Sequence, residues 1–194
     1  MPDPFELTVV CEAGKSFAPR LRRQVHAARK LLRGPLRELS LVLANDATMS
    51  DLHRRFMNDP TTTDVLTFPL AVNKRGRATS GEVYVCVPEA RRRAREHGTR
   101  VADELLLYAL HGMLHLCGFD DRTPAGFERM HRTEDRILTR IGVGAVFQPQ
   151  QDRSQQRNER QHTPLQHAPL QRTRRREARR AGASAGRVRK DRRA

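Results

Sequence analysis

Cysteine is scarce in this chain of 194 residues, and its three cysteines, Cys11, Cys86 and Cys117, are far apart in the sequence. An odd number of separated cysteines without a CxxC pair argues against a disulfide framework and against a zinc site of four thiolates. We therefore expect three reduced thiols in the core of a cytoplasmic protein.

Long apolar segments are also missing. No run approaches the roughly 18 apolar residues that cross a bilayer. The N-terminal segment MPDPFELTVV has neither the basic region nor the apolar region of an export signal. These absences predict a soluble protein that is not exported and has no membrane partner.

Acidic residues are outnumbered, since 37 Lys and Arg stand against 22 Asp and Glu and give a net charge of +15. Residues 151–194 contain 14 of the basic and 4 of the acidic residues, which places a net charge of +10 in that segment. The segment has no aromatic residue and few large aliphatic ones, so it cannot bury enough apolar surface to offset its chain entropy. We predict an ordered domain at residues 1–147 and a disordered, Arg-rich tail at residues 148–194.

The most basic stretch of the tail is RTRRREARR at residues 172–180. Basic tails attract any polyanion without a need for a specific sequence. One interpretation is an RNA-binding arm whose contacts are Arg172, Arg174, Arg175 and Arg176. The other is a tail that only increases solubility.

The rest of the chain shows both strand and helix periodicity. Short segments rich in β-branched or aromatic residues predict strands at residues 6–12, 39–46, 64–71 and 81–88. Apolar residues at helical spacing predict helices at residues 17–34, 49–59, 88–98, 99–118 and 123–142. The second helix has Ser50 as its expected N-cap. Interleaved strands and helices predict a single α/β (α+β) layered domain, with a mixed four-stranded sheet packed against about five helices.

The segment HGMLHLCGFDD at residues 111–121 places two histidines in an apolar helix and then stops the helix. Residues four apart lie on the same face of a helix, so His111 and His115 project side by side. Gly112 leaves room beside the helix, and Gly118 permits the left-handed conformation that turns the chain back. The turn can then bring one of the two following aspartates towards the imidazoles, at the end of the long central helix.

Two imidazoles and a carboxylate, with one position open, form the ligand set of a catalytic zinc. Hydrogen-bonded core histidines are the alternative explanation. Metal binding is favoured because two imidazoles buried in an apolar helix each need a polar partner. The residues alone leave Asp121, Asp120 and His131 as third ligands, although His131 with Glu134 and Asp135 is most simply a solvated helix face.

HGMLHLCGFDD resembles the HGxLHLxGYDH signature of the YbeY family of bacterial rRNA-maturation endoribonucleases, in which three histidines bind zinc. Three further segments are similar to family segments and occur in the family's order and spacing: TTTDVLTFP (61–69), GEVYV (81–85) and MHRTEDRIL (130–138). The resemblance covers about residues 5–142, which is nearly the whole part predicted to be ordered.

The resemblance implies one Zn²⁺ per chain, held by His111, His115 and Asp121, with Asp121 in the place of the family's third histidine. Met57 stands where the family has a phosphate-binding arginine.

Other residues are then needed to contact the RNA and to transfer protons. We predict Arg55 as a catalytic substitute for the family's arginine and Arg54 as an RNA contact. Glu104 lies on the helical stripe that carries the two histidines. It is either a catalytic base or an exposed helix carboxylate.

The activity implied by the resemblance is that of a single-strand-specific, zinc-dependent endoribonuclease, a hydrolase in rRNA maturation and ribosome quality control. Its expected partners are precursor rRNA and ribosomal particles, not DNA, and no oligomeric state is predicted. A protease of the HExxH type is disfavoured because Gly112 occupies the position of the glutamate. The alternatives are a ribosome- or RNA-binding protein of the same fold with weak or lost catalysis, and a metal-dependent hydrolase of a non-nucleic substrate.

Overall fold

The computed structural model describes residues 5–144, which form a four-stranded sheet and five α-helices. The strands are β1 (Glu6–Cys11), β2 (Glu38–Ala44), β3 (Val65–Val72) and β4 (Ala78–Cys86). The helices are α1 (Ala18–Leu31), α2 (Asp46–Met57), α3 (Val87–His97), α4 (Val101–Leu116) and α5 (Pro124–Arg140). The predicted mixed fold of sheet and helices is confirmed. The predicted domain boundary after residue 147 and the tail at residues 148–194 lie outside the described residues.

The sheet has the strand order β1-β2-β4-β3. β1, β2 and β4 are parallel neighbours, and β3 pairs antiparallel with β4 at one edge. Parallel strands need a crossover connection, and α1 provides it between β1 and β2. The carboxyl ends of β2 and β4 therefore lie at the same end of the sheet.

Helix α4 forms the centre of the domain, between one face of the sheet and the helices α1, α3 and α5. Its sequence is apolar nearly all round, which is typical of a helix that is buried on several sides. Gly112 lies directly against the sheet, since an added Cβ would come within 2.6 Å of a Val83 methyl carbon and 3.0 Å of Thr67 Oγ1. The space predicted beside Gly112 is thus filled by β3 and β4, and the part of α4 that carries the two histidines sits on the sheet.

Helix α2 covers the opposite face of the sheet. Successive strand residues point to opposite faces of a sheet. In β2, Leu41 and Leu43 belong to the core cluster that includes α4, whereas Val42 and Ala44 pack with Met49 of α2.

The start of α2 corrects one expectation. Asn45 is its N-cap, with the side-chain oxygen accepting a hydrogen bond from the Thr48 amide at 2.9 Å. The prediction of Ser50 as N-cap is wrong, because an asparagine directly after β2 starts the helix more than one turn earlier.

The cysteines agree with the sequence-based expectation of free thiols. Cys86 and Cys117 are buried, Cys11 is partly buried, and none of the three forms a disulfide within residues 5–144. Within residues 5–144, no helix is long and apolar enough to cross a membrane.

Candidate metal centre

Helix α4 ends at Leu116, and Gly118, two residues later, has a φ of +91°. The Gly118 amide donates to the His115 carbonyl at 2.9 Å, and the Phe119 amide donates to the Leu114 carbonyl at 3.0 Å. These two bonds are those of a Schellman motif, in which the residue after the helix takes the left-handed conformation. The predicted role of Gly118 is confirmed, and the turn directs the following chain back towards the histidines.

The turn brings Asp121 beside His111 and His115. The two Nε2 atoms are 2.9 Å apart, and Asp121 Oδ2 lies 3.5 Å from His111 Nε2 and 3.8 Å from His115 Nε2. Among the described residues, these three side chains form the one group of His, Cys, Asp or Glu that can hold a metal ion.

Both histidines are held through their other ring nitrogen. His111 Nδ1 lies 2.8 Å from Glu134 Oε1, and His115 Nδ1 lies 3.2 Å from the Phe119 carbonyl oxygen. A carboxylate and a carbonyl only accept hydrogen bonds, so both Nδ1 atoms must donate. In the neutral imidazoles, each Nε2 therefore presents a lone pair to the cluster. Two such lone pairs at 2.9 Å repel each other unless a proton or a metal ion lies between them.

The arrangement fits a metal ion. Bonds of about 2.0–2.2 Å in a tetrahedral zinc site place neighbouring ligand atoms about 3.3–3.6 Å apart. The three observed separations, 2.9, 3.5 and 3.8 Å, lie around that range. Asp121 Oδ1 is the one buried side-chain oxygen or nitrogen in residues 5–144 without a hydrogen-bond partner. A buried carboxylate oxygen normally has a partner, and a cation bound by the other oxygen, Oδ2, would offset the charge of this carboxylate.

The charges around the cluster shift the pKa values of the two histidines in opposite directions. Burial alone would lower the pKa of His111, but the hydrogen bond that His111 donates to Glu134 and the charges of Glu134, Asp121 and Asp64 raise it to about 9. Burial and the positive charge of His111 lower the pKa of His115 to about 4. Without a metal, the negative charges beside His111 therefore favour protonation of His111 over protonation of His115.

Glu134 is a site residue that the sequence analysis misplaced. It is 0% exposed, and its second oxygen, Oε2, lies 2.7 Å from His131 Nδ1. Burial would raise the pKa of Glu134, but the hydrogen bonds from His111 and His131 hold it at about 2. The interpretation of Glu134 and His131 as a solvated helix face is wrong. A signal was present in the spacing, because Glu134 shares a helix face with the buried Met130 and Ile137.

The alternative third ligands do not approach the two Nε2 atoms. Asp120 pairs with Arg122, at 2.7 Å between Oδ2 and Nη2. The ring centroid of His131 lies 6.4 Å from that of His111. Of the three aspartate and histidine candidates, the structure brings Asp121 to the pair.

Glu104 lies near the start of α4, far from the cluster. It precedes His111 by seven residues, which is about 10 Å along a helix axis. The side chain is 2% exposed and accepts a hydrogen bond from Thr99 Oγ1 at 2.5 Å. The alternative of an exposed helix carboxylate is wrong, since α3 and α4 bury this position. The role of Glu104 as a base stays a prediction.

The arginines predicted to contact RNA are not part of the cluster. Arg54 and Arg55 both pair with Asp51, at 2.6 and 2.8 Å, on the helix that covers the opposite sheet face. Their roles stay predictions. The remaining predicted contacts lie outside the described residues: Arg172, Arg174, Arg175 and Arg176.

Two other exposed arginines lie beside the turn that carries Asp121. The Arg129 guanidinium carbon lies 5.3 Å from the centroid of the Phe119 ring. The Arg77 Cγ atom would lie 3.7 Å from a Cβ placed on Gly118. Both side chains are exposed, so positive charge is available at the rim of the cluster.

The fold and the cluster together define an α+β protein with a candidate His–His–Asp metal centre. The sequence model of the family described as Endoribonuclease YbeY matches residues 12–142 of the chain. The chain therefore belongs to the YbeY family, as the resemblance of its segments predicted.

Individual relatives agree with the family match. A protein named Endoribonuclease YbeY from Mycolicibacterium paratuberculosis is 36% identical over 132 residues, which cover 63% of this chain and 75% of the relative. The protein of the same name from Thermobifida fusca is 39% identical over 111 residues, covering 54% of this chain and 72% of the relative. The solution structure of TM1509 from Thermotoga maritima is similar in fold, with a TM-score of 0.50 and 24% identity, covering 76% of this chain and 99% of that chain.

Proposed function

We propose that this protein is a zinc-dependent endoribonuclease that cleaves single-stranded regions of precursor rRNA during rRNA maturation and ribosome quality control in the cytoplasm. The observation that carries the proposal is the convergence of His111 Nε2, His115 Nε2 and Asp121 Oδ2 while both Nδ1 atoms are held by other groups. The name Endoribonuclease YbeY of the relatives supports RNA as the substrate.

His111, His115 and Asp121 are the residues that would hold the zinc ion, since imidazole nitrogen and carboxylate oxygen are common zinc ligands. A bound zinc ion supplies a Lewis acid that polarises a phosphoryl oxygen. The side chains of His111 and Asp121 are 20% and 18% exposed, so a phosphodiester can reach the cluster from solvent. Residue 112, directly after the first histidine, is glycine, so this helix lacks the glutamate that HExxH proteases use as a base.

Positive charge at the rim supports a polyanionic substrate. Guanidinium groups match phosphate geometry and remain charged at all relevant pH values. Arg77 and Arg129 lie beside the ligand-bearing turn, and their exposed side chains are suited to bind phosphates of the RNA backbone. Binding to phosphates fixes the position of the strand without reading its sequence.

Replacing Asp121 by alanine tests the site. We expect about one zinc per wild-type chain by elemental analysis, as for a single three-ligand centre, together with cleavage of a single-stranded RNA. Asp121→Ala should lose both, because two imidazoles alone leave the ion with too few protein ligands. Asp121→His should retain zinc. The matched control is Asp120→Ala, which changes the neighbouring aspartate and its bond to Arg122 and should keep both properties.

The outcomes separate the proposal from its alternative. Zinc and cleavage that persist in Asp121→Ala would remove Asp121 from the site. A wild-type chain that binds RNA, but does not bind zinc and does not cleave RNA, would support an RNA-binding protein of the same fold with lost catalysis.

Deleting residues 151–194 tests the proposed RNA-binding arm. If Arg172, Arg174, Arg175 and Arg176 contact phosphates, the slope of log affinity against log salt should become flatter by about 3, since each phosphate contact on a single strand contributes about 0.7. Binding is measured by fluorescence anisotropy with a labelled single-stranded RNA over a series of salt concentrations. An unchanged slope would assign the segment to solubility instead.

A further inference from the structure

Glu134 lies where α5 packs against the end of α4, and each of its two oxygens meets a different histidine. Oε1 lies 2.8 Å from His111 Nδ1, and Oε2 lies 2.7 Å from His131 Nδ1. Since the side chain is 0% exposed, these imidazoles take the place of water around the carboxylate. Burial of a carboxylate is costly unless it is paired and hydrogen-bonded, so a charged residue at this position calls for an explanation.

The two histidines of the cluster are held by different kinds of acceptor. His115 donates to a backbone carbonyl, that of Phe119, which is fixed by the turn at the end of α4. His111 donates to a side chain from another helix, 23 residues later in the sequence. The orientation of His111 is therefore the part of the centre that depends on a distant residue.

The charge of Glu134 also complements a metal ion. The cluster itself contributes one carboxylate, Asp121, and two imidazoles. With Glu134 in direct contact with His111, the two carboxylates carry two negative charges, which balance a dication in a largely buried site. Carboxylates that accept the second ring N–H of a ligating histidine fix its tautomer and raise its basicity.

We propose that Glu134 is a positioning residue of the metal centre, which holds His111 with Nδ1–H directed at α5 and Nε2 directed at His115 and Asp121. The inference rests on the proposed metal-binding function of the cluster. His131 holds the second carboxylate oxygen and so keeps Oε1 aimed at His111.

The test measures metal binding to the metal-free full chain, without RNA. Zn²⁺ affinity is obtained by competition with a chromophoric chelator, and Co²⁺ is used as a spectroscopic probe of the ligand geometry. Glu134→Gln should weaken Zn²⁺ binding about 10- to 100-fold and change the visible absorption of the Co²⁺ form, because a neutral amide lacks the negative charge that raises the basicity of His111 and has a single acceptor oxygen for the two imidazoles.

Two variants control for general effects on α5. Glu128→Gln changes an exposed glutamate of the same helix, 67% exposed and close to Arg132, and should leave affinity and spectrum unchanged. His131→Gln disturbs the same carboxylate but leaves its bond to His111, and should weaken binding less than Glu134→Gln does. Circular dichroism checks that each variant is folded.

Several results would overturn the inference. Unchanged Zn²⁺ affinity and Co²⁺ spectrum in folded Glu134→Gln would show that the carboxylate does not position His111. Equal losses of Zn²⁺ affinity in His131→Gln and Glu134→Gln would assign the effect to packing of α5. Absence of Zn²⁺ binding by the wild type would remove the basis of the proposed positioning role. A wild type that binds Zn²⁺ but does not cleave RNA would contradict the proposed endoribonuclease activity and leave the positioning role in place.

Discussion

Replacing His111 by alanine is expected to abolish zinc binding and to lower RNA cleavage by on the order of a thousandfold, since a metal Lewis acid contributes several kcal/mol to such a transition state. The side chain touches every part of the centre: His115 and Asp121 through Nε2, and Glu134 through Nδ1. No neighbouring residue can replace these contacts. Elemental analysis and cleavage of a single-stranded RNA measure the two losses.

The same substitution should destabilise the metal-free chain by about 3 kcal/mol, the lower end for breaking a buried pair, because Glu134 keeps only its bond from His131. Urea denaturation of the metal-free protein measures this change. His26→Ala is the matched control, since His26 packs on Phe5 and is not one of the residues of the cluster. Full zinc content in His111→Ala would contradict the assignment of the site.

Replacing Gly126 by alanine should weaken zinc binding by tenfold or more, although Gly126 contacts none of the ligand atoms. A Cβ at this position would lie 2.0 Å from the Asp120 carbonyl oxygen and 2.9 Å from Thr123 Oγ1. The first of these is a backbone atom, so the turn before α5 has to shift, and the shift carries Asp121 with it. Displacement of one ligand from a preorganised site reduces metal affinity.

The sign of the change in the free energy of unfolding caused by Gly126→Ala distinguishes steric crowding from helix propensity. Propensity alone favours alanine over glycine by about 1 kcal/mol in a helix, whereas overpacking costs about 1–3 kcal/mol. We expect a net loss, because the clash involves backbone rather than a flexible side chain. Thermal denaturation measures it, and Ala125→Gly is the control: it lowers helix propensity one residue away but should leave zinc affinity intact. A Gly126→Ala protein that is more stable and binds zinc normally would contradict the argument.

Local patterns were sufficient to predict most of the elements and the pair of neighbouring histidines. The short segment LSLVLAND, bounded by turn-forming residues, identified β2, and the apolar sequence TRVADELLLYALHGMLHLCG identified the central helix. His111 and His115 are separated by one helical turn, so short-range geometry placed them side by side. The residues alone left Asp120, Asp121 and His131 as third-ligand candidates, and only the family resemblance pointed to Asp121. The start of α2 was misjudged because two capping residues, Asn45 and Ser50, occur close together.

Residues whose roles depend on packing between distant segments were missed. Glu134 meets His111 across 23 residues of sequence, and nothing in the local pattern of α5 says which helix faces it. Gly126 is required by the approach of the Asp120 carbonyl, which exists only once the turn is closed. Glu104 was placed on the histidine stripe by periodicity, but its burial against α3 depends on the arrangement of whole helices.

The hydrogen bond between α4 and α5 also sets a limit on transplanting the site. The segment HGMLHLCGFDD carries all three ligands and, through Gly118 and Phe119, the group that orients His115. It does not carry Glu134, which orients His111 from the next helix. An excised peptide, or the same segment grafted onto another helix, would therefore hold the ligand atoms without the preorganisation that the whole domain provides.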